Sequence, residues 1–174
     1  MIPSPEYDLR LMGGPRAACL APALWAALGP RERAAMLWDV ERGRRAGLFP
    51  GVLGAADIVG VAWEGNAVSG MAWVTPLAPG ARCGAVHFCF TRRERAERIA
   101  GDFLARLADA RRFESLVALL PAPYRHARAF ARRVGFAELG RLPGACRLAG
   151  LRGWRVTPGV VLALSFEETH GNSV

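Results

Sequence analysis

The spacing of hydrophobic and polar residues changes several times along the chain, and each change predicts an element of secondary structure. Between Pro22 and Gly47, apolar residues recur every three or four positions, which is typical of amphipathic helices. The pair Gly29-Pro30 divides this stretch into two helices, because proline suits the first turn of a helix. The segment 46–56 is punctuated by Gly and Pro and is expected to be a loop.

Apolar residues at every second position, or in short continuous runs, predict the strands. The predicted strands are 7–12, 57–63, 67–77, 85–90, 115–120, 136–141 and 160–166. Helical spacing returns over 95–110 and 124–134. The segment 85–120 therefore has the order strand, helix, strand, and the two strands of such a unit are expected to be parallel. The hairpin predicted over 57–77, with its turn at Glu64-Gly65-Asn66, makes the sheet mixed.

The composition is that of one folded domain. The chain has 174 residues, of which 52% are hydrophobic and 22% charged, so intrinsic disorder is excluded. No apolar run approaches the roughly 18–20 residues of a membrane span. The first six residues lack the basic and then apolar pattern of a signal peptide, so we expect a cytoplasmic protein without membrane contact. The polar segment 167–174 is expected to be frayed.

Cysteine and histidine residues are scattered. No two of the four cysteines form a CxxC pair, and the three histidines are scattered and do not have the spacing of metal ligands. No metal site is therefore predicted. The residues are Cys19, Cys83, Cys89, Cys146, His87, His126 and His170. We expect the thiols to be reduced and to act as small core residues.

The net charge of +8 comes from arginine alone, since the chain has no lysine. Codon bias in a GC-rich genome explains arginine in place of lysine but not the excess over acidic residues. The segment 92–133 holds eleven arginines and five acidic residues, whereas the other 132 residues hold twelve and ten. Nucleic acid, a membrane surface or a phosphorylated small molecule could each account for such a charge.

The junction at 90–101 is the best candidate for an anion site. It joins the end of a predicted strand to the start of a helix, where free N–H groups and the positive end of the helix dipole favour phosphate. Four arginines, Arg92, Arg93, Arg95 and Arg98, add positive charge there. The alternative is a charged turn that only contacts solvent.

Two motifs in this frame resemble the GNAT superfamily of acyl-CoA N-acyltransferases. The family loop R/Q-x-x-G-x-G/A is matched at Arg95 and Ala100, and Phe103-Leu104 supplies the apolar pair that follows it. The family helix N-x-x-A-x-x-F-Y-x-K-x-G-F is matched by Ala127, Phe130, Arg133, Gly135 and Phe136. The stretch 141–145 is similar to that of small bacterial and phage-borne members. Arg98, Tyr124 and Ala131 depart from the family's Gly, Asn and Tyr.

The resemblance implies an α/β (α+β) domain. Its mostly antiparallel sheet would have six to seven strands, a central parallel pair and helices on both faces. Residues 1–56 would contribute a strand and the acceptor-side helices, and 57–166 the sheet that binds CoA. Acetyl-CoA would lie between strands 85–90 and 115–120. The residues expected to contact it are Phe88, Phe90, Arg92, Arg93, Arg95, Ala96, Arg98, Ala100, Arg125, Arg128 and Arg133.

The implied reaction is direct attack of an amine on acetyl-CoA in a ternary complex. His87 is the candidate base, because imidazole titrates near neutral pH, and strand alternation places it with Cys89 opposite Phe88 and Phe90. A hydrogen-bonded core histidine is the alternative. Tyr124 is a candidate acid in place of the missing tyrosine at Ala131, although a packed aromatic at a helix start is favoured. Likewise, Arg125, Arg128 and Arg132 form one stripe that contacts either the 3′-phosphate or only solvent.

The sequence is also compatible with two other functions. The departures at Arg98 and Ala131 also fit a CoA- or ligand-binding module without catalysis. A nucleic-acid-binding protein is a weaker alternative, since the chain has no recognisable motif or basic tail for it. The acceptor amine, a small molecule or a protein, would be selected by 22–56, and exposed strand edges leave a homodimer open.

Overall fold

Seven strands form one sheet in the part of the chain that the computed structural model describes, residues 7–150 and 153–166. They are β1 Asp8–Met12, β2 Ile58–Glu64, β3 Ala67–Pro76, β4 Cys83–Phe90, β5 Ser115–Pro121, β6 Ala137–Gly150 and β7 Gly153–Ser165. Their order in the sheet is β1-β2-β3-β4-β5-β7-β6. Strands β4 and β5 are parallel, and the other neighbours are antiparallel. The predicted mixed, mostly antiparallel sheet with a central parallel pair is confirmed.

Helices cover both faces of this sheet, as predicted. They are α1 Gly14–Ala27, α2 Pro30–Met36, α3 Arg45–Gly54, α4 Ala96–Asp109 and α5 Arg125–Arg133. Single turns of 3-10 helix, Arg42–Arg44 and Arg93–Arg95, precede α3 and α4. The core between the sheet and α4 and α5 is separate from the core between the sheet and α1 to α3. No helix in the described residues combines the length and hydropathy needed to cross a bilayer.

The prediction of a loop over 46–56 is wrong, because α3 occupies most of this segment. Phe49 and Leu53 lie one helical turn apart and are fully buried, so packing outweighs the low helix propensity of the glycines and of Pro50. The first helix also begins earlier than the predicted Pro22, at Gly14. A Cβ on Gly14 would lie 2.2 Å from the carbonyl oxygen of Ala56, so glycine allows α1 and the end of α3 to approach closely.

The hairpin of β6 and β7 is much longer than the predicted strands 136–141 and 160–166. Its register shifts between Leu142 and Cys146, which accommodates the intervening Pro143 and Gly144. Because β6 lies at the sheet edge, a proline there removes no essential ladder bond. The backbone N–H of Ala149 donates to the carbonyl of Trp38 at 2.9 Å, so the hairpin contacts the segment that follows α2. The predicted tail 167–174 lies outside the described residues.

Candidate functional site

Strands β4 and β5 separate after a short paired region. Only Cys83, Gly84 and Ala85 pair with β5, opposite Ser115–Val117. The rest of β5 pairs with β7, and the rest of β4 pairs with β3, on their outer sides. Beyond Ala85, the edge of β4 that faces β5 therefore has no strand partner among the described residues. We call the opening between residues 86–90 and 118–121 the wedge.

Aromatic side chains occupy the α5 side of the wedge. The rings of Phe88 and Phe90 lie 5.9 Å apart, and Phe130 on α5 lies 5.7 Å from the first and 5.3 Å from the second. All three side chains are only partly buried. The sequence predicted that Phe88 and Phe90 lie at this site, and the structure places both there with a third ring, Phe130.

The backbone at the end of β4 is fixed to β3. The N–H groups of Thr91 and Arg92 both donate to the carbonyl of Ser69, at 3.0 and 3.2 Å, and the Thr91 hydroxyl donates to the carbonyl of Val68 at 2.6 Å. The 3-10 turn Arg93–Arg95 follows and leads directly into α4. The first N–H groups of α4, which have no acceptor within the helix, and its positive dipole end therefore lie beside the wedge.

The four arginines of this junction have different surroundings. Arg92 and Arg93 are exposed. Arg95 is partly buried and its guanidinium lies 3.0 Å from Glu64. Arg98 lies over the ring of Tyr7, with its guanidinium carbon 5.7 Å from the ring centre, and is directed toward β1. Arg98 is exposed too but lies over Tyr7, so Arg92 and Arg93 are the two exposed arginines of the junction that make no ion pair or ring contact with another side chain in the described residues.

Glu64 and the two alanines of the loop have roles that the sequence did not reveal. Glu64 pairs with Arg95 and accepts a 2.5 Å hydrogen bond from the Ser69 hydroxyl. Glu64 therefore holds the 3-10 turn Arg93–Arg95 in contact with the β2–β3 hairpin. Ala96 and Ala100 are buried, at 8% and 0% exposure, and the N–H of Ala96 donates to the carbonyl of Arg93, so these two residues pack the start of α4 and are not open to a ligand.

The arginines of α5 do not act as one stripe. Arg133 donates from Nε to Glu97 at 2.6 Å, which ties α5 to the first turn of α4. Arg132 pairs with Glu138, and this hydrogen bond lowers the pKa of the Glu138 carboxyl. Arg125 is exposed, whereas Arg128 is half-buried with its Nε enclosed and without a hydrogen-bond partner in the described residues.

His87 lies on the other side of β4, as strand alternation predicted. Its ring stacks on Trp73 of β3, with centroids 4.9 Å apart and planes 7° apart. The side chain is exposed at its edge, so it is not a core histidine, yet the protein crowded around it lowers the pKa of the imidazole. The carboxylate of Asp39 opposes this shift without reversing it. His87 is therefore neutral, and able to accept a proton, at physiological pH.

Tyr124 precedes α5 and is half-buried, with its N–H donating to the carbonyl of Pro121 at the end of β5. Burial raises the pKa of its phenol, and the charges of Arg45 and Arg155 oppose that shift. The phenol thus stays protonated at neutral pH and lies close to two cations that would stabilise a phenolate. Ala131, where the resembled family has tyrosine, is buried in the core and carries no proton donor.

A cavity that the sequence did not predict lies between segment 34–45, which runs from the end of α2 to the start of α3, and the β6–β7 hairpin. Its volume is about 370 Å³. The residues that line it are Ala34, Glu41, Arg42, Arg45, Ala149, Gly153 and Trp154. Sequence reasoning missed it because the helix at 45–54 and the strand segments 142–150 and 153–159 were not predicted. The dense basic run at 42–45 was the available signal.

The segment 38–45 contributes charges that act on both candidate proton-transfer residues, His87 and Tyr124. Asp39 is close enough to His87 to raise its pKa, and Arg45 is close enough to Tyr124 to lower its pKa. In the described residues, no three His, Cys, Asp or Glu side chains are grouped so as to hold a metal ion.

Comparison with known proteins gives a consistent picture of the fold. No family profile and no curated protein matches the sequence. Many solved structures do match, at low identity. RimL, the ribosomal L7/L12 alpha-N-protein acetyltransferase in complex with coenzyme A, has a TM-score of 0.69 and 15% identity, over 93% of this chain and 95% of that one.

Two further structures extend this likeness. The ribosomal-protein-S5-alanine acetyltransferase from Vibrio fischeri has a TM-score of 0.67 and 12% identity, over 95% of this chain and 96% of that one. The acetyltransferase yncA from Salmonella typhimurium, solved with acetyl-CoA, has a TM-score of 0.63 and 15% identity over the same shares. The TM-scores of these three structures show that they share the fold of this chain, and at such low sequence identity the likeness shows the fold alone.

Proposed function

We propose that this chain, which has the fold of the GNAT acetyltransferases, transfers an acetyl group from acetyl-CoA to an amine. The observation that carries the proposal is the wedge between β4 and β5, with the N-terminus of α4 beside it. A wedge with unpaired backbone groups along one side suits an extended amide-containing chain. A helix N-terminus at its end suits the phosphates that such a chain carries in acetyl-CoA.

Acetyl-CoA fits the wedge by its chemistry. The pantetheine arm would hydrogen-bond to the free edge of residues 86–90 and pack against Phe88, Phe90 and Phe130. The pyrophosphate would meet the N–H groups of Glu97 and Arg98 in the first turn of α4, which follow the N–H of Ala96 that donates to Arg93, and the exposed side chains of Arg92 and Arg93. Arg125 and Arg128 on α5 would be available to the 3′-phosphate. These contacts would use the arginine excess of segment 92–133.

Three predicted contact residues take a supporting role in this proposal. Arg95 is held by Glu64, Arg133 by Glu97, and Arg98 lies over Tyr7. Each interaction holds the junction at 90–101 or helix α5 in contact with a neighbouring element. We therefore assign these arginines to holding the shape of the site and leave direct phosphate contact to Arg92 and Arg93.

The chemistry is a direct displacement at the thioester carbonyl. The amine nitrogen bonds to the acetyl carbon, and the carbon–sulfur bond breaks. His87 takes the proton that the amine loses, directly or through water, because its imidazole is neutral. A backbone N–H of β4 polarises the carbonyl. Tyr124 donates a proton to the leaving thiolate, and Arg45 and Arg155 stabilise the phenolate that remains.

The buried Ala131 favours a second candidate function, a CoA-binding module that does not catalyse transfer. A tyrosine at this position is the family's usual acid, and the alanine here cannot replace it. Only turnover separates the two functions, since both require the wedge.

The test combines binding with turnover. Calorimetric titration with acetyl-CoA should show one site, and release of CoA thiol in the presence of a panel of amines should show transfer. The double variant R92A/R93A should weaken binding, while R16A, an exposed arginine on α1, serves as the matched control. Absence of binding at millimolar acetyl-CoA would reject the proposal. Binding without turnover over the whole panel would favour the non-catalytic module.

A further inference from the structure

We infer that the acceptor is a small amine that also carries an anionic group, a carboxylate or a phosphate, which binds Arg42 and Arg45 in the cavity between segment 34–45 and the β6–β7 hairpin. The inference rests on the proposed function and names the class of its second substrate. It comes from the distribution of charge around this cavity.

Arg45 is the central observation. Its side chain is buried, with 8% of its surface exposed, and it lines the cavity. Its Nε donates to the carbonyl of Val40 at 2.8 Å, which fixes the plane of the guanidinium. A buried cation without an opposite charge is costly, and a guanidinium fixed in one plane suits a carboxylate or phosphate.

Further positive charge surrounds the same cavity. Arg42 lines it, Arg155 acts with Arg45 on the phenol of Tyr124, and Arg147 lies 4.2 Å above the ring of the lining residue Trp154. No carboxylate in residues 7–150 and 153–166 forms an ion pair with any of these four arginines. Glu41 is the one acidic residue in the lining, so the cavity keeps a clear positive excess.

Acidic charge lies at the other end of the same region. Asp39 acts on His87, and Glu32 acts on Cys89, the residue beside it on the same face of β4. Asp39 also acts on Cys146 of β6, so its negative charge lies between the candidate base and the hairpin, while Arg42 and Arg45 line the cavity itself. An acceptor with an amine at one end and an anion at the other would align with this polarity, and its amine would point toward His87.

The size of the cavity favours a small molecule. About 370 Å³ lies at the lower end of the range for small-ligand pockets, roughly 300–1,000 Å³. The side chains around it come from two segments that contact each other through Ala149 and Trp38, so the cavity is bounded on both sides. We therefore commit to a small amine and treat acidic peptides as an outcome of the test.

The test compares amines that differ only in the anion. Phosphoethanolamine is paired with ethanolamine, and γ-aminobutyrate with butylamine, at saturating acetyl-CoA, and thiol release gives kcat/KM. The anionic member of at least one pair should be used about tenfold better or more, and the pair identifies phosphate or carboxylate. R42Q should raise KM for that amine about tenfold and leave KM for acetyl-CoA unchanged.

Controls make the outcome specific. R44Q changes an exposed arginine in the same 3-10 turn that does not line the cavity, and it should behave as the wild type. R45Q should likewise raise KM for that amine, and because Arg45 also acts on Tyr124 it should lower kcat as well. Its melting temperature shows whether it folds; if it does not, R42Q alone decides.

Each result has a separate meaning. Preference for the neutral amines, for acidic peptides only, or no faster use of any anionic amine would overturn this inference. Those results all require turnover of some acceptor and leave acetyl-CoA binding intact, whereas failure of the proposed function would appear as loss of acetyl-CoA binding or as binding without turnover of any acceptor.

Discussion

The imidazole of His87 and the indole of Trp73 stack in parallel on two adjacent strands, with ring centres 4.9 Å apart. Because the two residues are register partners across β3 and β4, the stack fixes the orientation of the histidine on the face of the sheet opposite Phe88 and Phe90. This places the candidate base on the face of the sheet that packs against α1 to α3, and not in the aromatic side of the wedge.

Replacement of His87 by glutamine should reduce kcat about 10²–10⁴-fold with little change in KM for acetyl-CoA, because a general base acts only in the chemical step. The pKa of His87 lies below the usual value of about 6.5. Activity of the wild type should therefore fall only as pH drops below that value, and this acidic limb should be absent from H87Q. The profile of kcat/KM against pH measures both effects, and an unchanged acidic limb in H87Q would exclude His87 as the base.

Replacement of Tyr124 by phenylalanine should reduce kcat by about 10²-fold, because the variant keeps the ring and loses the proton donor. The raised pKa of this phenol means that the acid form persists throughout the neutral range. The alkaline decline of wild-type activity should thus lie above about pH 10. A Y124F enzyme with wild-type kcat would assign protonation of the thiolate to water instead.

The double variant R92A/R93A should weaken acetyl-CoA binding by about tenfold or more, because both exposed side chains lie beside the N-terminus of α4. Each charge-assisted hydrogen bond to phosphate contributes about 1.5–3 kcal/mol to the binding free energy, and salt weakens this contribution when the contact is exposed. Calorimetry at two salt concentrations checks this. Equal affinity of the double variant and R16A for acetyl-CoA would contradict the assignment of phosphates to this loop.

Replacement of Gly14 by alanine should lower the free energy of unfolding by about 1–3 kcal/mol, because the new Cβ would meet the carbonyls of Leu53, Gly54 and Ala56. Gly47 on α3 is a matched control, since a Cβ there meets nothing within 4 Å. G47A should be neutral or more stable by up to about 1 kcal/mol, because alanine favours a helix. Urea denaturation followed by circular dichroism measures both, and equal stability of the two variants would argue against the close contact of α1 with α3.

The sequence predicted the centre of the fold more accurately than its periphery. The unit β4–α4–β5 was predicted almost to the residue, because its strands and helix have clear periods and few Gly or Pro residues. Helix α3 and the outer part of the β6–β7 hairpin were missed. In both, Gly and Pro mimic loops, and only the burial of Phe49 and Leu53, or the irregular register of β6, shows that the segments are ordered.

The parts of the candidate site that are formed by residues close together in the sequence could be predicted. Alternation along β4 separated His87 from Phe88 and Phe90 correctly. The pairing of Arg95 with Glu64 and of Arg133 with Glu97 could not be predicted, because each joins residues about 30 or more positions apart. The same holds for the cavity at Arg42 and Arg45, which exists only because the β6–β7 hairpin contacts the segment after α2.

Electron density for CoA in crystals of the wild-type protein would test the central claim most directly. We expect the pantetheine arm between residues 86–90 and 118–121, in contact with Phe90 and Phe130, and the pyrophosphate at the start of α4 beside Arg92 and Arg93. CoA bound elsewhere on the chain, or an empty wedge in crystals grown at a CoA concentration that saturates binding in solution, would contradict it.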